Sequence, residues 1–342
     1  MSFTNIRVLP TAEEVKATVS VPEELKEVKE KRDIQLRKVM ENGDERFVVV
    51  VGPCSAHNED AVCEYVSRLA AVQQKVEDKL LIIPRIYTNK PRTTGEGYKG
   101  MAHQPNHLES PNLVEGILAI RKMHIRALSE SGLSSADEML YPNNHSYLDD
   151  LLCYVAVGAR SVENQQHRLT ASGLDIPVGM KNPTSGDLKV ALNSVYAAQI
   201  PHSFSYNGYE VSTDGNQYSH LILRGAVDHH GQVIPNYHHE DLMYAAEQYE
   251  KRSLKNPAIF VDTNHDNSGK RYKEQSRIAL EVMRSRKYSS LLNRYIRGLM
   301  IESYIEEGSQ KPDENVFGKS ITDPCLGWDE TERLIYTIAD NC

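Results

Sequence analysis

Eight short apolar runs mark the chain from about residue 46 onward. They are RFVVVVGP (46–53), LLIIPRIY (80–87), ADEMLY (136–141), YVAVGAR (154–160), PVGMKN (177–182), SHLILRGA (219–226), AIFVDTNH (258–265) and IRGLMIES (296–303). Continuous apolar runs of this length suit strands buried on both faces, as in a parallel sheet. Between them, apolar residues recur at three- and four-residue spacing over 64–76, 113–128, 187–198, 241–252, 274–284 and 330–338, which predicts amphipathic helices. Eight strands alternating with helices predict an α/β fold, a (β/α)8 TIM barrel. A doubly wound sheet is the competing arrangement, but no GxGxxG or GxxxxGK[ST] segment opens a helix. Residues 1–45 read as a charged, mostly helical N-terminal extension with a short strand-like start over 3–8, and residues 46–342 as the barrel. The surplus segment 202–217 (HSFSYNGYEVSTDGNQ) predicts an inserted β-hairpin turning at Asn207-Gly208.

Composition narrows the function classes. The chain carries a formal charge of −8 and no block rich in Lys or Arg, so nucleic acid is not an expected partner. No apolar run reaches the roughly 18 residues that span a bilayer, and the start lacks a basic segment followed by an apolar one. The five cysteines, Cys54, Cys63, Cys153, Cys325 and Cys342, are odd in number and show no CxxC pair. A disulfide framework is therefore not expected, and a reducing cytoplasmic setting is. His229, His230, His238 and His239 cluster in sequence; they read as solvated loop residues, with no acid or thiol spaced to make them a metal site.

Chemistry in such barrels sits at the C-terminal ends of the strands. Almost every run here ends in residues that a core would not want. The first ends at Cys54, the second carries Arg85 and leads to Lys90, Arg92 and Thr93, and the third contains Glu138. Gly158-Ala159-Arg160, Lys181, Arg224, His265 and Glu302 end the others, and Asp323 follows in a loop. Taken singly, each has an ordinary structural explanation; together, random polar residues would not sort to one end of every strand. Cys54, His265, Glu302 and Asp323 offer a thiolate, an imidazole and two carboxylates, a mixture suited to a divalent transition ion rather than Mg or Ca. Arg85, Lys90, Arg92, Arg160, Lys181 and Arg224 make a cationic group that implies at least two anionic groups in the ligand. Cys325 and Trp328 read as packing residues, Trp328 anchoring the last helix.

The segments VVGPCSAHN, KPRTT with a following GYKG, GARSVENQQHR, PVGMKNPTSGDLKVA, HLILRG, VDTNHDNSGK, IESYIEEGSQ and GKSITDPCLGW resemble, in order and over roughly residues 40–340, the metal-dependent 3-deoxy-D-arabino-heptulosonate 7-phosphate synthases. The resemblance implies condensation of phosphoenolpyruvate with erythrose 4-phosphate, the first step of the shikimate pathway. It implies one divalent ion (Mn, Fe, Co or Zn) on Cys54, His265, Glu302 and Asp323. It places Arg85, Lys90, Glu138, Arg160, Lys181 and Arg224, with the backbone of Gly158 and Ala159, at phosphoenolpyruvate, and Lys90, Arg92 and Thr93 at erythrose 4-phosphate. A homodimer or homotetramer is the implied assembly, and the charges at such a site make Lys90 the candidate proton donor to the nascent alkoxide, with Glu138 and Lys181 beside the water. KPRT argues against the sister synthase that uses a five-carbon sugar phosphate. A retired barrel should have lost a ligand or a cation, and none is missing. The loop after KPRTT, GEGYKG, is one residue longer than in the best-known members. Residues 139–146 and the pair Leu174-Asp175 also differ from the effector-pocket segments of members inhibited by phenylalanine or tyrosine.

Overall fold

The computed structural model describes residues 2–342. Its strands are β1 (Phe47–Gly52), β2 (Leu80–Pro84), β3 (Ser135–Glu138), β4 (Leu152–Val157), β5 (Val178–Lys181), β6 (His202–Tyr206), β7 (Tyr209–Thr213), β8 (His220–Leu223), β9 (Ala226–Val227), β10 (Val233–Ile234), β11 (Ile259–Asp262) and β12 (Ile296–Glu302). Eight of them form one parallel sheet in the order β2-β1-β12-β11-β8-β5-β4-β3. A parallel bridge between Arg85 and Ala136 joins β2 to β3, and the Ile86 N–H donates to the Ala136 carbonyl at 2.9 Å. The ring thus closes, and each of the eight apolar runs contributes one strand of the predicted barrel.

β1 shows how the pattern works. Val48 and Val50 face an inner cluster with Leu81, Ile83, Ala156, Ile222, Phe260 and Met300, whereas Phe47, Val49 and Val51 face the outer helices. Both faces are buried, so the run has no polar alternation. Each such valine contributes roughly 1.5–3 kcal/mol by burial. Helices 59–76, 113–131 and 188–199 begin at Asn58, Asn112 and Asp187, whose side chains accept a first-turn N–H.

The barrel has a plug at its N-terminal end. Leu36, Val39 and Met40, from the helix Glu23–Met40, join the inner cluster. Arg297 of β12 donates to the carbonyls of Val39 (3.1 Å) and Asp44 (2.7 Å), tying the plug to the sheet. The strand-like start expected over 3–8 is not a strand: no regular element covers it, and Phe3, Ile6 and Val8 are exposed. A strand needs a neighbour to take its hydrogen bonds, and none among the described residues runs beside it.

β6 and β7 form the expected hairpin, with Asn207 and Gly208 both at positive φ (49° and 84°) in the turn. A smaller ribbon, β9–β10, and the helix Gln165–Ala171 carry too little periodicity to read beforehand. All five cysteines are free, and no helix among the described residues is long and apolar enough to cross a membrane.

Candidate active site

The C-terminal strand ends converge on one pocket. Arg85, Lys90, Arg92, Glu138, Gly158 and Ala159 line one part of it; Arg160, Lys181, Arg224, His265 and Asp323 line the rest. Cys54 and Glu302 lie beneath, fully buried. The Cys54 Sγ, a Glu302 oxygen and an Asp323 oxygen all lie within 4.8 Å of one another, the only such group of three or more among the described residues. A soft sulfur beside two hard oxygens fits a divalent transition ion, which also neutralises their mutual repulsion. His265 stands next to this group, its Nε2 3.9 Å from Glu302 Oε1. It opens the short helix His265–Ser268 at φ 43°, a left-handed conformation that costs a non-glycine residue energy and tends to mark functional sites.

The charges interlock. Arg85 donates to Glu302 Oε1 at 2.8 Å and to the Pro53 carbonyl. Asn264 donates to Glu302 Oε2 at 2.6 Å. Lys90 donates to the Cys54 carbonyl (2.6 Å) and approaches its Sγ at 3.0 Å. Burial and Glu302 push the Cys54 thiol above its ordinary pKa, against the pull of Lys90. Burial also disfavours ionised Glu302 and Asp323. Arg85 and His265 overcome it at Glu302, and Lys90 and Lys270 at Asp323, so both carboxyls are held below their ordinary values. Lys181 pairs with Asp262 at 2.9 Å, and Arg224 with Asp266. Arg85 Nε and Arg224 Nε are buried donors without an acceptor. Unpaired guanidinium N–H groups beside a cationic pocket are what an anionic ligand satisfies.

Glu138 is placed by a close approach. A Cβ on Gly158 would lie 2.4 Å from Glu138 Oε1, so only glycine leaves the carboxylate its position. The loop carrying Lys90 and Arg92 is closed by hydrogen bonds from Lys90 N–H to the Lys99 carbonyl (2.9 Å) and from Ala102 N–H to the Thr88 carbonyl (3.1 Å). Arg92 is held by the Tyr98 carbonyl at 2.8 Å.

The pocket therefore gathers nearly all of the residues singled out in the sequence. Thr93 is the exception: it is exposed and does not line the pocket. Asp262, Asp266 and Lys270 were not singled out, though all three lie in or beside the VDTNHDNSGK segment. An acid beside a histidine reads as a solvated residue until the barrel faces it with a cation. The histidine cluster does not assemble: His229 and His230 lie against each other, while His238 pairs with Glu281 at 2.6 Å. That acid is remote in sequence and pairs with one histidine alone, so the four do not gather into a ligand set. Cys325 accepts the Cys54 N–H at 3.4 Å, and Trp328 packs edge-on against Tyr65 at the start of the last helix.

Fold and site together define a (β/α)8 barrel enzyme for anionic substrates, with a thiol–carboxylate group able to hold a metal beside its cations. A family model described as the DAHP synthetase I family matches residues 18–335. A phospho-2-dehydro-3-deoxyheptonate aldolase of Haemophilus influenzae is 38% identical, over 90% of this chain and 84% of that protein. The Tyr-sensitive enzyme of Salmonella typhimurium is 38% identical, over 98% of this chain and 94% of its own. The solved phospho-2-dehydro-3-deoxyheptonate aldolase of Francisella tularensis superposes with a TM-score of 0.92 at 31% identity, covering 99% of this chain and 98% of that one. The chain belongs to the DAHP synthetase I family. Its activity is 3-deoxy-D-arabino-heptulosonate 7-phosphate synthesis, the first step of aromatic amino acid biosynthesis, and the family is metal-dependent.

Proposed function

We propose that this pocket condenses phosphoenolpyruvate with erythrose 4-phosphate and water, with the following division of labour. Arg85, Arg160, Lys181 and Arg224, helped by the backbone of Gly158 and Ala159, hold the carboxylate and phosphate of phosphoenolpyruvate. Lys90, Arg92 and Thr93 hold erythrose 4-phosphate; Thr93, now exposed, joins only if its loop moves inward. The observation that carries this reading is the convergence of Arg85, Lys90, Arg92, Arg160, Lys181 and Arg224 on one pocket beside the Cys54, Glu302 and Asp323 group.

Cys54, His265, Glu302 and Asp323 would hold one divalent ion (Mn, Fe, Co or Zn), which supplies Lewis acidity at the aldehyde oxygen. The phosphoenolpyruvate C3 attacks the aldehyde carbon, and Lys90 gives a proton to the nascent alkoxide. Glu138 and Lys181 flank the water that adds at C2, and phosphate leaves by C–O cleavage. Residues 1–45 serve as an N-terminal extension that plugs the catalytic barrel of 46–342. The working protein is a cytoplasmic homodimer or homotetramer.

The test is phosphate release from both substrates, with added Mn or with a chelator. Release with Mn and its loss with chelator are expected. Cys54→Ala should abolish both metal binding and turnover; retained activity would remove Cys54 from the ligand set.

A further inference from the structure

We propose that Asp262 is a positioning residue shared by the two halves of the site: one of its oxygens aims the His265 ring at the metal group and anchors the Lys181 ammonium in the anion pocket. This rests on the roles given above to His265 and Lys181.

Asp262 ends β11 and is fully buried. Its Oδ2 lies 2.8 Å from His265 Nδ1, a charge contact that is not an aligned hydrogen bond, and accepts a hydrogen bond from Lys181 Nζ at 2.9 Å. Its Oδ1 accepts the Asn264 N–H at 3.0 Å, which sets the plane of the carboxylate. Lys181 ends β5, and β8 lies between β5 and β11, so the ion pair bridges the barrel mouth over an intervening strand. The opposite edge of the His265 ring, Nε2, faces Glu302. A carboxylate against Nδ1 requires the proton there, which leaves the Nε2 lone pair free toward Cys54, Glu302 and Asp323. With both partners held by this one group, its loss disturbs the metal group and the anion pocket together.

Removing an outer-shell partner of this sort typically weakens metal binding about 10–100-fold. A buried lysine stripped of its counterion also loses much of its charge-assisted grip on an anion, roughly tenfold in KM.

The experiment titrates MnCl2 into metal-free wild type, H265A, D262N and K181M by calorimetry, and measures KM for phosphoenolpyruvate at saturating Mn. D262N is expected to lower Mn affinity about 10–100-fold and to raise KM about tenfold. K181M should raise KM while leaving Mn affinity within about threefold, and H265A should weaken Mn binding. Unchanged Mn affinity in H265A overturns the ligand reading itself. Weakened binding in H265A with wild-type affinity in D262N overturns only the role of Asp262. Should D262N fail to fold, 15N-histidine spectra of the metal-free wild type, assigned with H265Q, decide the matter. The Nδ1–H tautomer supports the proposal, and the Nε2–H tautomer refutes it.

Discussion

Gly158→Ala offers a sharp probe of the anion pocket. The backbone at 158 has no positive φ, so alanine is not strained there. Its Cβ, however, would stand 2.4 Å from Glu138 Oε1, where ordinary contact begins at 3.4 Å; the carboxylate must retreat by the difference, 3.4 − 2.4, about 1 Å. Glu138 lies at the pocket wall, so the retreat is accommodated without opening the core. Misplacing a reacting group by about 1 Å costs on the order of 100-fold in rate, or about 2.7 kcal/mol of barrier. We therefore expect kcat to fall 10- to 100-fold while the melting temperature moves by no more than about 1.5 °C, the shift that 1 kcal/mol produces in a protein of this size. Phosphate release under steady state reads the first quantity and thermal denaturation the second. Glu138→Asp retracts the same carboxylate, so the double variant should be no slower than the slower single one. Wild-type kcat in G158A would show that the carboxylate position does not matter, and additive losses would place the effect of the added methyl group elsewhere.

Two further outcomes follow from buried charges. Arg85→Leu strands Glu302, which is as buried as Arg85 itself. Urea denaturation of the metal-free protein should show a loss of roughly 3–5 kcal/mol, and a loss under 1 kcal/mol would refute the pairing argument. His220, buried inside the barrel with Tyr154 Oη at 2.8 Å and the Tyr218 carbonyl at 3.0 Å, is satisfied as a neutral ring, and burial lowers its pKa to about 4. The unfolded chain takes up that proton near pH 6.5 and the folded chain only near 4. Stability is therefore complete above pH 6.5 and falls as pH drops toward 4, by roughly 3 kcal/mol from this residue. His220→Gln should flatten the dependence of unfolding free energy on pH in that window; an unaltered slope would contradict the assignment.

Much of this protein is legible in one dimension. Strands buried on both faces leave continuous apolar runs, and helices that cover them leave a 3.6-residue stripe, so eight strands and six of the covering helices can be counted along the chain. The inserted hairpin announces itself through Asn207-Gly208, because its tight turn needs two residues at positive φ. The strand-end cations and ligand-type side chains were visible because a polar residue closing a buried run has no packing reason to be there. Weakly periodic elements escaped: the helix Gln165–Ala171 is seven residues long, and β9–β10 pairs only two residues per strand.

What the chain alone determined is therefore the barrel, and the kinds of side chain at its mouth. Only closure of the ring decided which of them meet. Cys54 and Asp323 are 269 positions apart, yet their side chains lie 3.7 Å from each other. The exposed stretch at 3–8 fails as a strand because pairing needs a neighbour, which local pattern cannot supply. Asp262 and Asp266 look like ordinary acids in sequence and become counterions only where β5 and β8 bring Lys181 and Arg224 against them. Periodicity is a local property of burial, whereas electrostatic partnership depends on distance in space, and that distance is set by the closed sheet.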